Sequence, residues 1–158
     1  MDADDILEEA RRRVARTVWC TLATADAAGR PTTRIVHPVW AGDVVWLATR
    51  TGTPKLRHLE RTPAVSLLWW DPHHEQVNVD GHATVHDDDA TRAEAWEVFR
   101  APAEPYGWDP ATIWPDGPTS GACTIVRIRP TKVTLFGREP AVWRAAGPGA
   151  RPPARAGR

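Results

Sequence analysis

Apolar and polar positions alternate at period two along most of this chain, and helical spacing interrupts them in only three places. The first is at the start: Ile6, Leu7, Ala10 and Val14 fall on one stripe and predict a helix over residues 3–15. Asp4, Asp5, Glu8 and Glu9 lead it and Arg11, Arg12, Arg13 and Arg16 follow, which complements the helix dipole. Thr17 to Thr24 then reads as a strand, residues 25–30 as a turn, and Pro31 to Trp40 as a second strand. Ala41-Gly42-Asp43 closes a hairpin into Val44 to Thr49. Pro54 suits the first turn of a short helix ending near Arg61.

Pro63 introduces an apolar strand, Ala64 to Trp70. Glu75 to His86 alternates, with Gly81 marking a bulge or a bend at a barrel corner. Asp87 to Asp89 caps a third helix through Arg100. Residues 101–120 are rich in Pro and Gly and long for a plain connection, which fits a functional or interface loop. Gly121 to Arg129 and Thr131 to Gly137 are the last strands, with Pro130 as punctuation. Six or seven strands with a helix at the front and short flanking helices predict a mainly β fold of the α+β class, a small closed or partly closed barrel. The domain is expected over residues 1–138, with 139–158 as a low-complexity tail, disordered over 145–158.

Composition narrows the function. At 158 residues one domain is expected, and 42% apolar residues are enough for a core. Twenty Lys and Arg balance twenty Asp and Glu, so a generic nucleic-acid partner is not expected. Nine Trp supply large rigid surfaces for a core, a dimer interface or a planar ligand. Cys20 and Cys123 lie in apolar runs and read as buried thiols. The acidic start has no signal-peptide character and no apolar run is long enough for a bilayer, so a cytoplasmic protein without a membrane partner is expected.

The chemistry-bearing residues gather in one stretch. His82 and His86 have an x3 spacing, but on a strand they stand about 13 Å apart, too far for one ion. No HExxH, paired CxxC, Walker loop or GxSxG occurs, so no metal site and no hydrolytic nucleophile is expected. Thr49, Arg50, Thr51, Thr53 and Lys55, by contrast, combine hydroxyls and cations at a strand end and a helix start, which suits a phosphate. A hairpin pairing Val39 with Val44 would bring Arg34 close to Thr49 as a second cation for the same ligand.

Taken in order, Arg34-Ile35-Val36, the strand ending in Thr49, Thr53-Pro54-Lys55, the Val65 to Trp70 strand, Gln76 to Ala83 and the closing Val126 to Phe136 resemble the pyridoxamine 5′-phosphate oxidase-like, flavin-binding split-barrel family. The resemblance runs from about Ala15 to Gly137. It implies a split barrel that forms a homodimer and holds flavin mononucleotide (FMN) at the subunit interface. Arg34, Ile35, Val36 and His37 would run along the isoalloxazine ring, Thr49, Arg50, Thr53 and Lys55 would hold the phosphate, and Gln76 would contact the flavin. The expected function is a flavin-dependent oxidoreductase acting on a small molecule. A deazaflavin-coenzyme reductase and a non-enzymatic flavin or haem binder are the alternatives. The C-terminal end lacks the basic residues of the oxidase proper, which points away from vitamin B6 oxidation, and Pro54 stands where that enzyme has another cation. No general acid or base is assigned; His37 is the nearest candidate, and Tyr106, Trp108 and Trp114 are candidates to cover the substrate side or to pack a dimer.

Overall fold

In the computed structural model, residues 1–147 are described. Helix α1 spans Ala3–Thr17, opened by a capping box in which Asp2 and Asp5 satisfy each other's backbone N–H groups. Its buried stripe is Ile6, Ala10, Arg13 and Val14. Arg13 is buried because Glu9, Glu75 and the Phe136 carbonyl surround its guanidinium. The helix runs two residues past its expected end, so β1 (Cys20–Ala25) starts later than the pattern suggests.

The remaining strands are β2 (Pro31–Val36), β3 (Val39–Ala41), β4 (Val44–Arg50), β5 (Ala64–Trp70), β6 (Gln76–His86), β7 (Cys123–Phe136) and β8 (Ala141–Arg144). Helices α2 (Pro54–Leu59) and α3 (Asp89–Arg100) complete the regular elements, the latter capped by Asp88 on the Thr91 N–H. All strand pairs are antiparallel, in the order β2-β1-β5-β6-β7-β4-β3, with β8 beside β7.

That order rolls the sheet up. β2 and β3 lie at opposite ends of the path, yet only His37 and Pro38 separate them. The two edges must therefore meet, and the sheet is a barrel with a seam at His37-Pro38. The expected single strand from Pro31 to Trp40 is divided here, because Pro38 has no N–H for a ladder.

Two further expectations change. Pro130 does not end a strand: β7 continues through it to Phe136. The register shift at Asp80/Gly81 leaves the ladder interrupted where the proline lacks its donor. Gly81 is the counterpart of that bulge. A Cβ there would lie 2.6 Å from the Arg129 carbonyl oxygen and 2.9 Å from Ile128 Cγ2. The segment expected as tail contributes β8, with Val142 opposite Thr134 and Arg144 opposite Lys132. The expected disorder over 145–158 falls mostly on 148–158, outside the described residues. The described residues form eight strands, in place of the six or seven expected.

The barrel interior is filled by Leu22, Leu67, Val77, Val79, Ile125, Ile128, Val133 and Leu135, all fully buried. Trp96 and Phe99 of α3 pack against Trp114 and Trp108 of the long loop that follows it. Cys20 and Cys123 are buried free thiols, and burial pushes both up from the ordinary cysteine range. Among the described residues no helix is long and apolar enough to cross a membrane.

Candidate functional site

The Gly52 turn (φ +76°) after β4 delivers the chain into α2, with Pro54 in its first turn. Thr49, the last buried residue of β4, accepts a hydrogen bond from Lys55 Nζ at 2.8 Å. Thr51 is used differently: its hydroxyl donates to the Gly121 carbonyl at 3.0 Å and ties the turn to the start of β7. Thr53 caps α2 without a side-chain bond, and its hydroxyl is buried and has no hydrogen-bond partner among the described residues. Arg50 is exposed at the strand end.

Arg34 arrives by another route than the hairpin. β3 and β4 pair Ala41 with Val44 and Val39 with Trp46, not Val39 with Val44, and Arg34 lies on β2. There it stands opposite Leu22 of β1, against which α2 packs. Nη1 of Arg34 donates to Thr24 Oγ1 at 2.7 Å and to the Thr32 carbonyl at 3.0 Å. Burial lowers the pKa of Lys55, and the Arg34 guanidinium lowers it further; burial also lowers that of Arg34. The two cations thus lie close together, half withdrawn from water, and no carboxylate among the described residues offsets either.

His58 belongs to this cluster although the sequence reading did not single it out. Its Nδ1 lies 2.8 Å from Thr24 Oγ1. With Arg34 donating to Thr24, the threonine hydrogen is free to go to His58, which leaves Nε2–H as a further donor. The available signal was helical spacing: His58 follows Lys55 at i+3 on α2.

His37 sits at the seam. Its Nε2 lies 2.8 Å from the Tyr106 carbonyl, which can only accept, so the proton is on Nε2. Burial lowers the pKa of His37 and favours the neutral ring. The Tyr106 hydroxyl lies 2.6 Å from the Trp40 N–H and accepts from it, and burial pushes this phenol up to about 12. Trp108 packs against His37 and Phe99, with ring centroids 5.7 and 5.0 Å away, and Trp114 is buried behind.

The structure does not bring Gln76 to this cluster within one chain. Gln76 pairs with Trp70 and Phe136, while the residue in line with Arg34 on β6 is Val79. Three residues along and three strands across amount to about 10 Å and about 14 Å. Gln76 shares the outer face with Ile35, Leu68, Trp70 and Phe136, all exposed.

Comparison with known proteins gives the family and the fold. The family described as pyridoxamine 5′-phosphate oxidase matches residues 6–137. A dihydrophenazinedicarboxylate synthase of Pseudomonas chlororaphis is 41% identical over 95 residues, 57% of this chain and 41% of that protein. The match thus spans about two fifths of that relative's length. Among solved structures, a Clostridium acetobutylicum protein of the pyridoxinephosphate oxidase family, related to general stress protein 26, superposes with a TM-score of 0.72 at 14% identity, covering 91% of this chain and 96% of its own. An FMN-binding, pyridoxamine 5′-phosphate oxidase-related protein of Nostoc punctiforme gives 0.59 at 16% identity, covering 93% and 98%. An F420 reductase gives 0.57 at 22% identity, covering 78% and 94%. These likenesses show the split-barrel fold.

Proposed function

The chain belongs to the pyridoxamine 5′-phosphate oxidase family, and from that premise we propose that it is a flavin-dependent oxidoreductase that binds FMN at a homodimer interface and acts on a small molecule. One observation carries the cofactor reading: Arg34, linked through Thr24 to His58 of α2, lies half buried near Lys55 of the same helix, and no carboxylate among the described residues offsets them. Two like charges held together out of water are unfavourable alone and become favourable around a dianion. Thr49 and Thr24 hold the two cations in place, His58 bonds to Thr24 beside them, and Arg50 is exposed at the end of β4 next to Thr49. The flavin supplies the hydride chemistry when bound. Ile35, Val36 and His37 follow Arg34 toward the seam, the direction in which the ring would extend.

The dimer reading rests on the outer sheet face. Strand register aligns Ile35, Thr21, Leu68 and Asn78 in one row, with Trp70, Gln76 and Phe136 beyond it. Ile35 is 65% exposed and Trp70 52%. Exposed Ile35, Leu68, Trp70 and Phe136, set among Thr21, Asn78 and Gln76, are costly in water and suit a second copy of the chain. A two-fold contact would also offer the partner's flavin the Gln76 that cannot reach the chain's own phosphate site.

A deazaflavin coenzyme is the second reading, favoured by Pro54, which removes an N–H and a side-chain charge from the start of α2. The test is to purify the protein, record its visible spectrum and identify the released cofactor by mass. FMN is expected. A colourless protein that takes up neither FMN nor a deazaflavin overturns the proposal, and turnover with a reduced nicotinamide donor distinguishes an enzyme from a storage protein.

A further inference from the structure

Arg34 is held by one arm only. Its Nη1 donates to Thr24 Oγ1 at 2.7 Å, and the Thr32 and Leu22 carbonyl oxygens stand 3.0 and 3.3 Å from the same nitrogen. Nε and Nη2 have no acceptor among the described residues. These two nitrogens form one edge of the planar guanidinium, and their parallel N–H bonds make the fork that grips two oxygens of a phosphate. Anchoring Nη1 leaves that fork whole.

The aim of the fork depends on Thr24. The two carbonyls belong to the paired strands β1 and β2, whereas a hydroxyl can turn. Thr24 is 2% exposed, so its hydrogen also needs a partner. Arginine has donors and no acceptor, so that hydrogen goes elsewhere, and His58 Nδ1 lies 2.8 Å away to receive it. Donation to His58 keeps a lone pair of Thr24 Oγ1 toward Arg34. The bonds then run one way, from Arg34 to Thr24 to His58, and each polarises the next. Without an acceptor at the place of Nδ1, the hydroxyl turns to a neighbouring backbone carbonyl and its lone pair leaves Arg34.

His58 stands three residues after Lys55 on α2. Lys55 Nζ bonds to Thr49, and His58 Nδ1 to Thr24. This short helix therefore places one cation of the pair directly and the other through a threonine.

We propose that His58 is a positioning residue of the phosphate site: acting through Thr24, it fixes the Nε–Nη2 fork of Arg34 and so sets the preference for a phosphorylated over an unphosphorylated cofactor. The proposal rests on the flavin reading above. Riboflavin, which has the ring and no phosphate, does not meet the fork and is indifferent to His58.

Fluorescence titration of the cofactor-stripped full chain with FMN and with riboflavin tests this. Unaltered protein is expected to bind FMN more tightly than riboflavin. His58→Ala should lower that preference about three- to tenfold, the range for one neutral hydrogen bond, by weakening FMN and not riboflavin. His58→Asn, whose Oδ1 accepts where Nδ1 does, should restore most of it. His58→Gln, which carries its acceptor one carbon further out, should not, and this pair decides the matter if His58→Ala does not fold. Adding His58→Ala to Thr24→Val should cost nothing more, because both act through one chain of bonds. In mildly alkaline buffer, nitrogen NMR of labelled protein should show the His58 hydrogen on Nε2. An unchanged preference in His58→Ala overturns the proposal, as do equal losses for FMN and riboflavin, no difference between His58→Asn and His58→Gln, additive losses in the double variant, or a hydrogen on Nδ1. The flavin reading fails separately, when the unaltered protein holds FMN no more tightly than riboflavin.

Discussion

Lys55→Ala separates cofactor binding from folding. Among the described residues Lys55 Nζ makes one hydrogen bond, to Thr49, and stands beside Arg34 with no acid to hold it. A hydrogen bond to a charged group contributes about 1.5–3 kcal/mol. The half-buried position keeps some solvent screening, which favours the lower part of that range, about 1.5–2 kcal/mol. FMN affinity should therefore fall about 10- to 30-fold, since about 1.4 kcal/mol is a factor of ten. Riboflavin has the same ring and no phosphate, so its affinity should not respond to the substitution. Folding stability should change little, because losing the charge-assisted Thr49 bond, about 1.5–2 kcal/mol at a half-buried position, is offset in part by relief of the repulsion from Arg34. The assay is fluorescence titration of FMN and riboflavin against both proteins, with a thermal melt of each without ligand. An equal loss for FMN and riboflavin, or no loss for either, would refute the reasoning and place the phosphate elsewhere.

The depressed pKa of Lys55 gives a pH prediction: the folded protein without ligand releases this proton at lower pH than the unfolded chain, so its stability rises with pH in the window just below the ordinary lysine value of 10.5. FMN binding should weaken across the same window as Lys55 loses its charge, and Lys55→Arg should flatten that part of the profile. Thr24→Val, which breaks the link from Arg34 to His58, should weaken FMN about three- to tenfold while the protein still folds, read by the same titration. Tyr106→Phe leaves the buried Trp40 N–H without its acceptor and should lower the urea midpoint by the equivalent of about 1–3 kcal/mol, with unchanged slope. Gly81→Ala forces a Cβ against the Arg129 carbonyl and should cost about 1–3 kcal/mol in a thermal melt.

Two strands were legible nearly residue by residue: β5, an apolar run opened by Pro63, has the boundaries expected, and β6, read from its alternation on either side of Gly81, begins one residue later. The two prolines misled in opposite directions. Pro38 sat inside an apolar run yet divides it, because the chain leaves one sheet edge there and joins the other. Pro130 looked like a boundary yet lies within β7, because a bulge already interrupts the ladder. Neither fact is local, so no window of sequence contains it. The cluster of Lys55, Thr49 and Arg34 could be named from residue chemistry, but its assembly could not. Arg34 approaches across β1, through Thr24, and His58 enters with it. Thr51 shows the converse: a hydroxyl in the right stretch that ties the turn to β7.

On this reading the Arg34–Lys55 pair holds the phosphate of a flavin. Offering the purified, cofactor-stripped protein an equimolar mixture of FMN, riboflavin, a deazaflavin coenzyme and haem, then identifying by mass what it retains, tests this most directly. Retention of FMN in preference to riboflavin, diminished in Lys55→Ala, is the predicted result. Retention of haem, or of riboflavin as readily as FMN, would contradict the account.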